Sequence, residues 1–408
     1  MRKFGETAFF MLRWWVFAAL LTVAGLVLVS VPAQAAGRPG APVPAAAATS
    51  QATLSAVSCT AASSCMAVGT RITGSPGKDV TLAESWNGTA WTMKATPNPK
   101  GATGSFLFGV SCTAASNCMA VGMYEDAAAP LGVSFAEVWN GTAWTLKTMP
   151  SPPGTTPGAD GVSCATPQAC VAVGNVVANG HNNAFSEAWN GTAWTLKATP
   201  RPAGTTYSLL NDASCRSATF CMATGDYQVN NSSKSRTLAE LWNGKSWAIE
   251  ATPNPKDGVN GDQLPGVACS SPLACVAVGG YDSTTNQGNL TLAEAWNGKT
   301  WAIKATPNPQ GTAGNSLLAV SCTAANGCMA VGDSGATGIF SERWNGTAWT
   351  IKAVPHPQAA TFAFMNGVSC GAAKSCVAVG NYFNSSQAEL PIAEAWNGTA
   401  WTIKPVPL

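Results

Sequence analysis

The sequence is poor in charge and almost empty of histidine. Asp, Glu, Lys and Arg make up only 10% of its 408 residues, the formal net charge is +2, and there are two histidines and five tyrosines. With no basic stripe and no acidic tail, a nucleic-acid partner is not expected. So little histidine removes most ways of building a catalytic base or a nitrogen-ligated metal centre. No phosphate loop, nucleophile elbow or paired-histidine metal motif occurs, so no cofactor and no catalytic residue is expected. No cysteine is left unpaired by number or spacing.

What is abundant is repetition. Seven times the chain runs through Val-Ser-Cys or a variant, five residues, a second Cys and Met/Val-Ala-Val-Gly or a near match. Some twenty residues later come Glu, a small or apolar residue, Trp-Asn-Gly, two residues, Trp and then Pro-x-Pro. The period is about 50 residues from Thr53 to Leu408, and each unit holds four strand-like stretches. A repeat of this length and content is the signature of a closed ring of sheets. The expected fold is all-β: a seven-bladed β-propeller with four antiparallel strands per blade, over 53–99, 105–152, 158–202, 207–255, 261–309, 315–357 and 361–408.

Ahead of the repeats, residues 1–36 read as an export signal. Arg2, Lys3 and Arg13 flank an apolar run from Trp14 to Val31, and Ala33-Gln34-Ala35 offers a cleavage site before Ala36. The rival reading is an uncleaved anchor, the one route by which a membrane would enter. Residues 37–52 form an Ala/Pro-rich linker. The expected location is therefore extracellular or at the cell surface. All 14 cysteines fall in the repeats as pairs five residues apart: Cys59/Cys65, Cys112/Cys118, Cys164/Cys170, Cys215/Cys221, Cys269/Cys275, Cys322/Cys328 and Cys370/Cys376. In an oxidising compartment this means one disulfide per blade, at the mouth of a hairpin. Zinc would need four ligands, and each repeat offers two cysteines without a nearby histidine.

Within a unit such as 105–152, Phe106 to Cys112 and Cys118 to Gly122 form a hairpin pinned by its disulfide. Closing so short a loop contributes about 2 kcal/mol in the chain-entropy treatment. Ser134 to Trp139 and Ala143 to Lys147 form a second hairpin about Asn140-Gly141, where both turn residues tolerate positive φ. Pro150 and Pro152 end the outermost strand, since proline cannot join a ladder. Glu137 and Trp139 are two apart and share a face, so the tryptophans fill the gaps between blades. The glutamate recurs as Glu84, Glu137, Glu187, Glu240, Glu294, Glu342 and Glu394. Beside a buried indole it is expected to accept from backbone or indole N–H groups, the alternative being a ring of carboxylates on a cation.

The unit resembles the kelch repeat and the central domain of galactose oxidase. The likeness rests on the strand ending in Val-Gly, best seen in Gly279-Gly280-Tyr281, and on Leu292 to Trp301 with its late Trp and proline exit. It departs in the added cysteine pair, in Asn-Gly for a longer turn, and in a Gly-Gly doublet surviving only in the fifth repeat. A weaker likeness to the Asp-box of sialidases lacks the diagnostic Asp. The kelch likeness implies that the first strand of each unit is innermost and the Trp strand outermost. With that strand order the repeats start on an inner strand and end on an outer one, so no strand is exchanged and closure is expected to rest on packing of the first blade on the seventh.

Variable sequence falls in the loops between second and third strands (70–80, 123–133, 175–183, 226–237, 280–290, 333–338, 381–390) and after Pro-x-Pro. Both sets share one face, and function on a scaffold sits on its variable loops. Candidate binding residues there are Arg71, Tyr124, His181, Tyr227, Tyr281 and Tyr382; the alternative for the tyrosines is capping the blade core. His181 and His356 lie in different segment types, which argues against a copper site, and Arg71, Arg201, Arg216, Arg236 and Arg343 share no position. The expected function is a non-catalytic scaffold, a monomer, binding a protein, peptide or glycan through the loop face. Two alternatives are a glycan hydrolase or lyase working in the central mouth and a structural surface component. Asn-Gly-Thr at Asn87, Asn140, Asn190, Asn345 and Asn397 is formally a glycosylation sequon but is explained by the turn.

Overall fold

The computed structural model describes residues 51–75, 77–127, 132–152, 155–178, 181–229, 234–284, 288–309, 314–335, 338–358 and 360–407. The expected export segment and nearly all of the linker lie outside the described residues. So do parts of six of the loops between second and third strands and of three of the connections after Pro-x-Pro.

Seven four-stranded antiparallel sheets follow one another in chain order. The first blade consists of β1 (Ala52–Ala61), β2 (Ser64–Thr73), β3 (Lys78–Trp86) and β4 (Trp91–Lys94). The other six span 104–148, 156–197, 205–250, 258–303, 315–352 and 360–403. Every first strand neighbours the first strands of the blades before and after it, seventh to first included, so these strands ring the axis. The seven disulfides form as the spacing predicts: Cys59–Cys65, Cys112–Cys118, Cys164–Cys170, Cys215–Cys221, Cys269–Cys275, Cys322–Cys328 and Cys370–Cys376. Each joins directly opposed residues of one hairpin.

The core is divided into seven apolar clusters, one per interface between blades. In the cluster between the first two blades, Met66, Val68 and Ala83 meet Leu107, Phe135, Trp139 and Trp144. The two indoles of each blade face each other across the outer hairpin, their centroids 5.4–5.8 Å apart. In five blades the first indole donates to a carbonyl of its own disulfide hairpin, as Trp139 does to Ala115 at 3.2 Å. The second indole finds a partner only where the preceding blade carries Ser before its Glu: Trp247 donates to Ser186 and Trp401 to Ser341. Where that residue is Ala, the indoles of Trp91, Trp144, Trp194 and Trp301 have no acceptor.

The Ser of Val-Ser-Cys stitches the inner strands together. Its hydroxyl accepts from the Cys N–H of the next blade at 2.9–3.0 Å: Ser58 from Cys112, Ser111 from Cys164, Ser163 from Cys215, Ser214 from Cys269, Ser321 from Cys370 and Ser369 from Cys59. The rung is missing between the fifth and sixth blades, where Ala268 replaces Ser. The Gly of Val-Gly lies opposite a bulge in the inner strand. A Cβ on Gly122 would stand 1.9 Å from the Phe106 carbonyl oxygen, and the other six equivalents are as tight, at 1.9–2.1 Å.

Four features go beyond the expectations or correct them. The first concerns the bridges. They are the staples at a hairpin mouth that the spacing predicts, and the second cysteine of every pair is also a core residue. Cys65, Cys118, Cys170, Cys221, Cys275, Cys328 and Cys376 are all buried, each in a different one of the seven inter-blade clusters. The reason is register: each stands directly opposite the first tryptophan of its own blade, as Cys170 does Trp189, Cys221 does Trp242 and Cys275 does Trp296. Cys328 and Cys376 oppose Trp344 and Trp396 in the same way. These sulfurs therefore pack as apolar groups, and they offer no exposed ligand or nucleophile.

The second concerns the Asn-Gly hairpins, which are four-residue loops in which only Gly takes positive φ, as Gly88 does at +96°. Asn87 instead turns its side-chain oxygen inward to accept from the Thr89 N–H, the Thr89 hydroxyl and the Ala90 N–H. The third is the proline exit, which is more than a stop in three blades. Asn98, Asn254 and Asn308, between the prolines, accept from the N–H of Thr81, Thr237 and Thr291 on the third strand.

The fourth is the glutamates. All seven are fully buried, yet no carboxyl oxygen of six of them accepts a hydrogen bond, and at Glu294 only the Thr237 hydroxyl comes near enough to lower the carboxyl. Each is opposed on the outermost strand by an apolar side chain, from Met93 to Ile403, that shields it from water. Burial therefore raises these carboxyls, to about 7 at Glu84, where Arg71 and Lys94 pull the other way, and to about 8 at the other six. Burial in an apolar wall thus favours the protonated, uncharged form of these acids. Each sits at its own interface, and no three His, Cys, Asp or Glu among the described residues form a metal-holding group.

The ring closes without strand exchange. Leu54, Val57, Trp86 and Trp91 pack on Val377, Val379 and Ala393. Asn366 donates to the Leu54 carbonyl at 3.0 Å, and Glu389 accepts from both the Thr53 hydroxyl and Asn381.

Candidate functional site

The hairpins at the disulfide end and at the Asn-Gly loops share one side of the ring and are short and alike. The connections between second and third strands, and from the fourth strand to the next blade, share the other. All six candidate residues belong to the connections between second and third strands or to the strand ends that bound them.

Arg71, Tyr124, Tyr227, Tyr281 and Tyr382 hold one equivalent position, two residues beyond the Gly of the Val-Gly pattern, opposite Val80, Val133, Arg236, Leu290 and Leu390. Each side chain is half-buried. The four tyrosines pack on four different inter-blade clusters, and Tyr124 meets Phe135 edge-on at 6.0 Å. They are spread around the ring, one per cleft, and do not gather in the central mouth. Their packing is that of caps on the blade cores. Arg71, in the tyrosine's place, acts electrostatically on Glu84. His181 is exposed at the start of the third strand of its blade, paired with Ala178.

One corner of the loop face departs from the pattern, and reading the repeats alone does not single it out. The inner strand of the fifth blade, Gly258–Ser271, pairs through successive irregularities at Gly258, Asn260, Gln263 and Gly266. It brings Asp257 and Asp262 close to Asp282 on the neighbouring strand. Asp257 accepts from the Ser283 hydroxyl at 2.6 Å. Asp262 is 5% exposed, and its Oδ1 has no partner. Burial lifts its carboxyl to about 7; Arg236 and Lys234 of the fourth blade lower it, while Asp282 and Asp257 raise it. Tyr281 is raised by burial, then by Asp257 and Asp262, which ties one sequence candidate to this corner. The signal available was length: Pro255 to Cys269 spans 14 positions, against 13 from Pro309 to Cys322 and from Pro357 to Cys370. Two further aspartates on this side, Asp226 and Asp333, are raised by burial to about 7, the Ser235 hydroxyl lowering the first.

No protein-family model and no curated protein matches the sequence. Solved structures do. The β-propeller domain of the trilobed protease from Pyrococcus furiosus, described as having an open velcro topology, is 8% identical over 86% of this chain and 97% of its own, with a TM-score of 0.51. The six-bladed fucose-recognising lectin of Aleuria aurantia is 16% identical over 74% of this chain and 96% of its own, with a TM-score of 0.44. The GH74 enzyme of Niastella koreensis is 13% identical over 86% of this chain and 58% of its own, with a TM-score of 0.46. The likeness to the archaeal domain is one of fold. The protein is a seven-bladed β-propeller with four antiparallel strands and one disulfide in every blade.

Proposed function

We propose that the protein is a secreted or surface-held, non-catalytic propeller, kelch-like in plan and monomeric, that captures a protein, peptide or glycan through its loop face. The observation that carries this reading is asymmetry. The scaffold repeats its packing residues seven times, whereas the charged group at the fifth-blade corner, Asp257, Asp262, Asp282, Arg236 and Lys234, has no counterpart as a group in the other repeats. Mixed charge beside half-buried tyrosines suits a polar ligand held by hydrogen bonds over an aromatic edge. Seven hairpin disulfides suit an oxidising compartment.

The test is a glycan and peptide array probed with residues 37–408 and with three variants: Asp262→Asn, Tyr281→Ala, and loop 280–290 replaced by loop 333–338. The expected result is capture by the parent chain, at least ~10-fold weaker in the variants, about 1.4 kcal/mol, with the propeller still folded in each and Tyr281→Ala melting lower because Tyr281 packs on a blade core. Undiminished capture by all three variants would show that the loop face is not the site. Release of a cleaved product from a bound probe would overturn the non-catalytic reading.

A further inference from the structure

A cavity of about 220 Å³ opens between the first and second blades on the opposite side, among the disulfide hairpins and Asn-Gly loops. The repeat explains why it exists here. Ser64, Met66 and Ser85 share the face of the first blade that looks onto the second, Met66 and Ser85 being directly opposed. At the two serine positions the fourth blade has Phe220 and Leu241, which pack onto the neighbouring core cluster and fill the equivalent space. The second blade has Asn117 and Val138, and Val138 packs in the same way. Blades three and five place alanines at both positions. Only the first blade carries hydroxyls at both.

The roof differs too. Lys147 and Lys197 each lie 6.0 Å over the tryptophan of the next blade, Trp189 and Trp242. Among the described residues Lys94 makes no such contact with Trp139, and both line the cavity.

We propose that this cavity binds one sugar residue. Its polar groups come as a donor–acceptor set. Ser64 accepts from the Thr60 hydroxyl at 3.1 Å, which leaves its own O–H free to donate. Ser85 donates to the Thr92 carbonyl at 3.3 Å, which leaves its lone pairs free to accept. Both are thus held in place before any ligand arrives. Asn87 and Lys94 add donors at the rim, and no carboxylate lines the space. The wall is apolar, built of the Trp139 indole and three half-cystines, Cys65, Cys112 and Cys118. A ring with hydroxyls at its edge and C–H groups on its face matches both surfaces. The volume falls below the ~300–1,000 Å³ of pockets for drug-sized molecules, so it suits a single ring. This site stands apart from the loop face and does not depend on it.

The test is an NMR titration of the ¹⁵N-tryptophan-labelled propeller with the methyl glycosides of glucose, galactose, mannose, N-acetylglucosamine and glucuronic acid, following the Trp139 indole signal. At least one glycoside should shift that signal saturably. Ser64→Phe with Ser85→Leu, the fourth blade's own residues, should abolish the shift. Ser64→Ala with Ser85→Ala, which keeps the space and removes the hydroxyls, should weaken binding at least ~10-fold, about 1.4 kcal/mol, at an unchanged melting temperature. Tyr281→Ala should leave it untouched, so this site and the loop face succeed or fail separately. A panel that leaves Trp139 unmoved, or glycoside binding as tight in both double variants as in the parent, would overturn the proposal.

Discussion

At the scale of the residue, the seven buried glutamates govern how stability responds to pH. Each carboxyl has a folded value well above its unfolded value of about 4.3, so each takes up a proton on folding. Its stabilising contribution is full below that unfolded value and is lost as pH rises toward the folded value, about 7 for Glu84 and about 8 for the others. The melting temperature should therefore fall steadily from pH 5 to pH 8, and Glu137→Gln should flatten part of that slope. A melting temperature that rises over this interval would mean the glutamates are charged and paired. A second expectation concerns the missing rung. Ala268→Ser should restore the Ser–Cys rung to the Cys322 N–H at the fifth-to-sixth interface, and add about 1 kcal/mol of stability in a denaturant titration.

At the scale of the element, each hairpin is specified by a few residues whose reasons differ in how openly the sequence carries them. The Cys pairs and the two tryptophans of each outer hairpin are legible from spacing alone, because register, disulfide and cross-strand aromatic pair all fall within a few dozen residues. That the second cysteine of each pair is a core group is not legible, since the wall it packs on belongs to another blade. The Gly of Val-Gly is legible as a position and opaque as a cause, because the carbonyl it must admit belongs to the bulged strand beside it. Gly122→Ala should accordingly cost at least ~2–3 kcal/mol, the range of overpacking against an unyielding backbone. An effect within the ordinary ~0.5 kcal/mol of a neutral substitution would show that the bulge can yield. The glutamates do not find the donors expected of them because an apolar wall faces them, which the period-two pattern cannot reveal. The tyrosines were visible as a recurring position, but recurrence itself places them in separate clefts. Asp262 is not legible in the sequence, because isolated aspartates are common and what distinguishes this one is burial.

At the scale of the whole molecule, a ring of seven like blades separates stability from recognition. The Ser–Cys rungs, the inter-blade clusters and the Thr53–Glu389–Asn381 bonds at the seam hold the circle without borrowing a strand. Apart from the cavity at the first blade, one side carries near-identical hairpins and the other carries the loop differences. That division is the central claim, and hydrogen–deuterium exchange of the propeller, with and without its strongest array probe, tests it most directly. The account expects protection concentrated in 255–264 and 280–290, with the Asn-Gly loops away from the first-blade cavity unchanged. Protection confined to the Asn-Gly and disulfide hairpins would contradict it.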